Sequence, residues 1–420
     1  MRNLSAILAH VASVDLVSWT LQRQPCWQES PLYNLAFQTS LDASQTYAFC
    51  AKFPSPLGKV HAKPRDICEP WTHNPVCTPH LSDINATLCV YTHATFAGGR
   101  GITIVTTPRL ARKFAVLPAF LEQSIHAARN INTPTNVYRA TEIPGKGIGM
   151  LATQPLAFGD VVTSHTPALI AYLEAELSTL DRETLWRTAI SQLPPTLQEN
   201  FLSLATVYGD ERVRVQDIVK ANTFQILLGG ANHLAVWPET SRLNHACAPN
   251  AQYVVDADML THTVRVTRPI AEGEEITISY TSPLEETDVR QQHLQQGFHF
   301  MCTCKRCANP RSDVTLERIR ILEKKLNDWS SASSSGSVDM AEELLSLYRQ
   351  EGLEGFMDMP YGFAALAYSA VGDRQKALSY AEKAQEAIQM KDGVWTENWK
   401  MWEGFKGDLE GHWSWRRRRV

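Results

Sequence analysis

Three short stretches carry residues whose types and spacing could do chemistry. The first is Ser241-Arg242-Leu243-Asn244-His245-Ala246-Cys247-Ala248-Pro249-Asn250, with an amide, an imidazole and a thiol inside four positions. The second is Glu274-Glu275-Ile276-Thr277-Ile278-Ser279-Tyr280, and the third runs from Phe298 to Cys307 and contains Cys302, Cys304 and Cys307. Three thiolates leave a closed, four-coordinate zinc site one ligand short. Cys247 is the nearest other cysteine and sits in the other unusual motif. The spacing therefore predicts a four-thiolate zinc site of Cys247, Cys302, Cys304 and Cys307, the alternative being four free buried thiols.

Taken together, the three stretches resemble the signatures of SET-domain methyltransferases. Asn-His-Ala-Cys-Ala-Pro-Asn is similar to their Asn-His-Ser-Cys-x-Pro-Asn motif, with Ala246 in place of the serine. Glu-Glu-Ile-Thr-Ile-Ser-Tyr is similar to the motif that ends in the catalytic tyrosine. Cys-x-Cys-x-x-Cys resembles the post-SET cluster of the SET-and-MYND branch. The resemblance covers about 134–310, and no MYND finger is recognised. It implies an S-adenosylmethionine-dependent transfer of methyl to a protein lysine, with Tyr280 as the catalytic group. It implies cofactor contacts at Lys146, Gly147, Asn222, Ser241, Asn244, His245, Tyr280 and Phe300. Phe224 and Phe298 would line the acceptor channel. A lysine amine with a pKa of about 10.4 must lose its proton before it can attack. An apolar channel beside a sulfonium favours that loss.

The elements that must position these groups can be read from patterning. Val137–Thr141 reads as a strand, followed by Pro144-Gly145-Lys146-Gly147-Ile148-Gly149, a further strand, and a turn at Phe158-Gly159-Asp160 into Val161–Ser164. Glycines there would let the backbone approach a ligand. Residues 168–230 read as a helical insertion, with Leu173, Leu177, Leu180 and Leu185 on one face. Gln252–Val255 and Val264–Thr267 alternate as a hairpin. Residues 109–130 are helical and broken at Pro118, after a turn at Gly98–Gly101 and a strand at Ile102–Thr106. From Asp313 the chain is helical, with Leu316, Ile319, Leu322 and Leu326 in a stripe, a serine-rich linker at Ser330–Ser337, and a tetratricopeptide-like hairpin over Ala364–Gln389.

The expected fold class is α+β: several small sheets, a helical insertion, a post-SET zinc site and a C-terminal helical domain. The expected divisions are an irregular N-terminal region 1–130, a SET domain 134–282, a zinc segment 283–312, helices 313–410 and a frayed basic tail 411–420.

The 420 residues are 44% hydrophobic and 20% charged with net charge −4, values of an ordinary globular chain that give no reason to expect direct nucleic-acid binding. No stretch is apolar enough for a membrane span. Leu4 to Leu21 resembles a poor signal peptide, interrupted by His10 and Asp15. Cys26, Cys50, Cys68, Cys77 and Cys89, with a sequon at Asn85, have a secreted, disulfide-bonded flavour, whereas the late thiols suit a reducing compartment. The balance favours cytoplasm or nucleus. A protein substrate is the expected partner, with a second partner surface on the C-terminal helices. The rival readings are an inactive SET scaffold, a methyltransferase for a small amine, and a secreted binding protein.

Overall fold

The most apolar short runs of the chain pair with one another. Strands β1 (Val76–Cys77), β2 (Cys89–His93), β3 (Ile102–Thr106), β7 (Leu169–Tyr172), β8 (Phe224–Leu228) and β9 (Ala231–Val236) form a six-stranded sheet in the order β1-β2-β3-β7-β9-β8. Only the β3–β7 pair is parallel, with Ile104 opposite Ile170. The structure is a computed structural model that describes residues 70–122, 124–330 and 336–418. Among the described residues the N-terminal region is therefore not irregular from 70 onward; it supplies half of the largest sheet. A disulfide joins Cys77 to Cys89 across the β1–β2 register. Cys26, Cys50, Cys68 and the signal-like stretch Leu4 to Leu21 lie outside the described residues.

Helices α1 (Pro108–Ala115), α2 (Pro118–Leu121) and α3 (Ile125–Ala128) follow, with the break at Pro118 that its missing N–H requires. Next come β4 (Tyr138–Ile143), β5 (Gly147–Ala152) and β6 (Val161–His165). The insertion is helical only between strands β7 and β8. It holds α4 (Thr179–Ser191), α5 (Pro195–Leu202) and α6 (Arg214–Asn222). Ser178 caps α4 by accepting from the Asp181 amide. The buried face of α4 is Leu185, Trp186, Ala189 and Ile190, whereas Leu180 is exposed. The expected one-faced leucine series therefore fails at its N-terminal members: Leu173 and Leu177 precede the helix. Loop 205–210 and α6 are tied together by Asp217, whose carboxylate accepts from the amides of Val207, Tyr208 and Gly209.

Strands β10 (Asn244–His245), β11 (Ala251–Asp256), β12 (Thr261–Val266) and β13 (Glu275–Ile278) complete two smaller sheets, β10-β13-β5-β4 and β11-β12-β6. Met150, Val162, Leu243, Val264, Val266, Ile276 and Ile278 pack between them. The expected β11–β12 hairpin is present, in antiparallel register from Ala251↔Val266 to Asp256↔Thr261. After α7 (Thr287–Phe298) the helices are α8 (Ser312–Leu326), α9 (Val338–Gln350), α10 (Asp358–Val371), α11 (Arg374–Lys391) and α12 (Glu397–Gly407). Leu316, Ile319, Leu322 and Leu326 are all buried along α8, as their spacing demands. The α10–α11 hairpin turns through Gly372 in the left-handed conformation.

The basic end is not frayed as far as Arg418. That guanidinium lies 3.7 Å from the Trp329 ring centroid and donates to the carbonyls of Leu326 and Asp328 at 3.2 and 2.7 Å. Those carbonyls are left open where α8 ends, and a cation there is favoured. The correction has a physical cause invisible in four consecutive arginines: one of them meets a helix C-terminus and an indole.

Candidate functional site

The site grows from the meeting of β10 and β13. Asn244 and His245 pair in parallel with Thr277 and Ile278, so two motifs thirty residues apart become neighbours. Asn250 locks the pairing. Its Oδ1 accepts from the Thr277 amide at 2.8 Å, and its Nδ2 donates to the Glu275 carbonyl at 2.9 Å. Asn250 is 1% exposed, so both bonds are made away from water, where leaving either group unpaired would be costly.

Tyr280 follows β13. Its hydroxyl donates to the Leu243 carbonyl at 2.5 Å, and its backbone N–H donates to His245 Nδ1 at 2.9 Å. That bond places the imidazole hydrogen on Nε2, which points at Cys247 Sγ, 3.2 Å away. His245 is thus a buried, fully used side chain, and burial pushes its pKa down to about 4. Its ring links the tyrosine to a thiol, leaving only its backbone for a ligand. Burial and, secondarily, the Glu275 charge hold the Tyr280 phenol above its ordinary value, so it remains protonated. Phe298 stands against Tyr280 with centroids 4.8 Å apart, and Phe300 lies 6.1 Å from the His245 ring. Phe298 ends α7 because His299 turns left-handed, with φ 61°, and sends Phe300 back over the site.

The thiols of Cys247, Cys302, Cys304 and Cys307 all lie within 4.8 Å of one another. Cys247 Sγ is 3.4 Å from Cys307 Sγ and 4.0 Å from Cys302 Sγ. A zinc tetrahedron with Zn–S bonds of about 2.3 Å has sulfur–sulfur edges of ~3.8 Å, so the four thiolates fit zinc. Neighbouring charge fits as well. Arg290, 0% exposed, sets its positive charge near Cys247 and Cys307, and Arg306 donates to the Cys247 carbonyl at 3.3 Å. Gln291 clamps the Cys302 backbone through both its amide and carbonyl, at 2.8 and 2.7 Å. Arg290, Gln291 and Arg306 went unread in the sequence. Arg306, between two of the cysteines, was the one with a visible signal.

Lys146 sits at the tip of the β4–β5 hairpin, and its ammonium is 2.6 Å from Glu275 Oε2. Gly145 and Gly147 have φ of 74° and 72°, so glycine is needed for the turn itself. Gly149 differs: an added Cβ would lie 2.6 Å from Asn244 Nδ2. Here the missing side chain makes room for the asparagine. Asn222, at the end of α6, donates its amide to the carbonyls of Ala205 and Ile218 at 2.8 and 2.7 Å. Ser241 Oγ bonds the carbonyls of Asn222 and Trp237 at 3.1 and 2.9 Å. These two residues hold each other's segments, and Asn222's donors are already used. Phe224 opens β8 and meets Trp237, Tyr253 and His262, the last with centroids 4.5 Å apart. Phe224 and Tyr280 both pack against the core between the smaller sheets.

Residues 147–281 match the SET domain family model. This segment is a SET domain, and the curated relatives it matches are SET-domain methyltransferases. A histone-lysine N-methyltransferase of Schizosaccharomyces pombe is 24% identical over 283 residues, covering 63% of this chain and 82% of that protein. The N-lysine methyltransferase SMYD2 of Gallus gallus is 33% identical over 118 residues, 28% of this chain and 26% of its own length. Its Homo sapiens counterpart is 24% identical over 189 residues, 39% and 43% of the two chains. The SET chain thus spans most of the yeast relative and less than half of the vertebrate ones. Among the described residues, no helix of the SET chain is long and apolar enough to cross a membrane.

Proposed function

We propose that the chain transfers a methyl group to the ε-amine of a protein lysine. Bound S-adenosylmethionine would supply an electrophilic methyl on its sulfonium. The observation that carries this reading is Tyr280, held at its hydroxyl by Leu243 and at its amide by His245, beside the aromatic wall of Phe298. Two anchors give the phenol one orientation, and alignment is the main requirement of an in-line displacement. Because burial keeps the phenol protonated, Tyr280 orients through its oxygen lone pairs rather than acting as a phenolate base. The acceptor loses its proton to water before reaction, helped by desolvation between Phe298 and the Phe224–Tyr253 wall. Lys146, Gly147, Asn244 and the His245 backbone would hold the donor's amino-acid end. Phe300 would face its adenine, with Asn222 and Ser241 supporting the pocket through backbone. Cys247, Cys302, Cys304 and Cys307 would hold a structural zinc that fixes Phe298 and Phe300, and such a thiolate site favours cytoplasm or nucleus. The C-terminal helices would offer the second protein surface.

Calorimetric titration with S-adenosylmethionine, wild type beside Asn244→Ala, tests the reading. Saturable binding that the substitution weakens at least tenfold is expected. A folded, zinc-loaded wild type that binds nothing would leave the scaffold reading instead.

A further inference from the structure

Glu275, on β13, is where a lysine from the β4–β5 hairpin tip and an asparagine from β10 converge. It is the first residue of β13, and its backbone is fixed by Asn250, which bonds the Glu275 carbonyl and the Thr277 amide. Its carboxylate is 17% exposed. Oε2 lies 2.6 Å from Lys146 Nζ, and Oε1 accepts from Asn244 Nδ2 at 2.9 Å. The pair can meet only because residue 149 is glycine: a Cβ there would lie 2.6 Å from Asn244 Nδ2 and 3.0 Å from Glu275 Oε1.

An asparagine amide has two nearly isosteric ends of opposite polarity. A carboxylate can only accept, so Glu275 selects the end of Asn244 that faces it. The nitrogen turns inward and Oδ1 outward, where that oxygen has no partner among the described residues. Lys146, on a hairpin tip with a 43% exposed side chain, would otherwise sample many rotamers. The Glu275 carboxylate holds it beside Asn244. The result is an outward acceptor next to a fixed ammonium, complementary to the ammonium and carboxylate of a zwitterionic amino acid.

We propose that Glu275 is a positioning residue that sets Asn244 and Lys146 to read the amino-acid end of the methyl donor. It acts through both partners and does not itself touch the donor. This rests on the cofactor reading above.

Two probes separate this role from general support. S-adenosylmethionine carries the amino-acid end; methylthioadenosine keeps the adenosine and sulfur without it. Glu275→Gln removes the charge and lets the amide turn either way. It is expected to weaken S-adenosylmethionine about tenfold, the effect of losing charge-assisted hydrogen bonding, with methylthioadenosine affinity and melting temperature unchanged. Asn244→Asp sets two carboxylates face to face and is expected to weaken S-adenosylmethionine by more than about tenfold. Adding Glu275→Gln to it restores a donor–acceptor pair with an outward oxygen, so the double variant is expected to regain most of the loss. Equal loss of both probes in Glu275→Gln, no loss of either, or no recovery in the double variant would overturn the inference and leave the cofactor reading intact. A wild type that binds neither probe overturns both.

Discussion

Tyr280 shows how much chemistry one side chain can inherit from its neighbours. Its hydroxyl proton is committed to Leu243, so in the proposed reaction the oxygen's remaining lone pairs would hold the methyl or amine. Tyr280→Phe removes that oxygen but leaves the ring against Phe298. The expected outcome is a kcat lower by about 10²–10³-fold, as for loss of one transition-state hydrogen-bonding group, with S-adenosylmethionine affinity unchanged. Single-turnover kinetics beside calorimetry separates the two; turnover near wild type would remove Tyr280 from the chemistry. At this scale the motif residues were legible because their types are unusual in combination. Asn222 and His245 were legible as positions but not as atoms. Nothing in a linear string tells that the Asn222 donors go to Ala205 and Ile218, or that the His245 ring joins Tyr280 to Cys247.

Among the elements, β7 is one that the patterning concealed. Leu169, Ile170 and Ala171 are all 0% exposed, so the strand is covered on both faces and lacks the alternation that marks a half-buried strand. Its neighbour β9 carries His233, whose Nδ1 donates to the Ala231 carbonyl at 3.0 Å and whose Nε2 faces Thr106 Oγ1 at 3.2 Å. Burial, opposed in part by the Ala231 carbonyl, pushes its pKa down to about 4. Above the unfolded value of about 6.5 neither state is protonated and stability is complete. As pH falls toward 4 the unfolded chain binds a proton that the folded one refuses, so stability is lost across that window, by roughly 3 kcal/mol from this residue. Urea midpoints measured between pH 7 and 5 are expected to fall for wild type and to fall less steeply for His233→Gln; parallel slopes would contradict the assignment.

The whole molecule is joined through the thiol cluster. Arg306, within the cysteine motif, pairs with Glu351 at 2.9 Å, with side chains 2% and 1% exposed. Ser312 donates to the same carboxylate at 2.6 Å, and Arg306 also donates to the carbonyls of Cys247 and Pro283. Beside it Gly352 meets Ala248 so closely that a Cβ would be 3.0 Å from the alanine methyl. The helices after α8 are therefore anchored on the cysteine loop itself. Glu351→Ala leaves a buried guanidinium without its charge partner and is expected to cost about 3–5 kcal/mol, read as a lowered melting temperature. Metal analysis is expected to find about one zinc per chain, lost on Cys307→Ser. A stable, folded and zinc-free wild type would rule out the four-thiolate site.

Sequence by itself determined what is local or chemically rare. The Asn-His-x-Cys motif, the tyrosine just past a β-strand, the C-x-C-x-x-C thiols and the leucine stripe of α8 each depend on residue type and short spacing. So do the glycine turns and the β11–β12 hairpin. Tertiary structure alone decided what depends on distant segments meeting. It drew residues 76–106 into one sheet with β7, turned Gly149 from a ligand-facing glycine into room for Asn244, and set Arg418 on Trp329 as a helix cap. It also brought Lys146, Asn244 and Glu275 together from a hairpin tip and two strands. Hydrogen bonds and close packing act over a few ångströms in space, whatever the separation along the chain, and neither composition nor periodicity records which distant atoms will come that near.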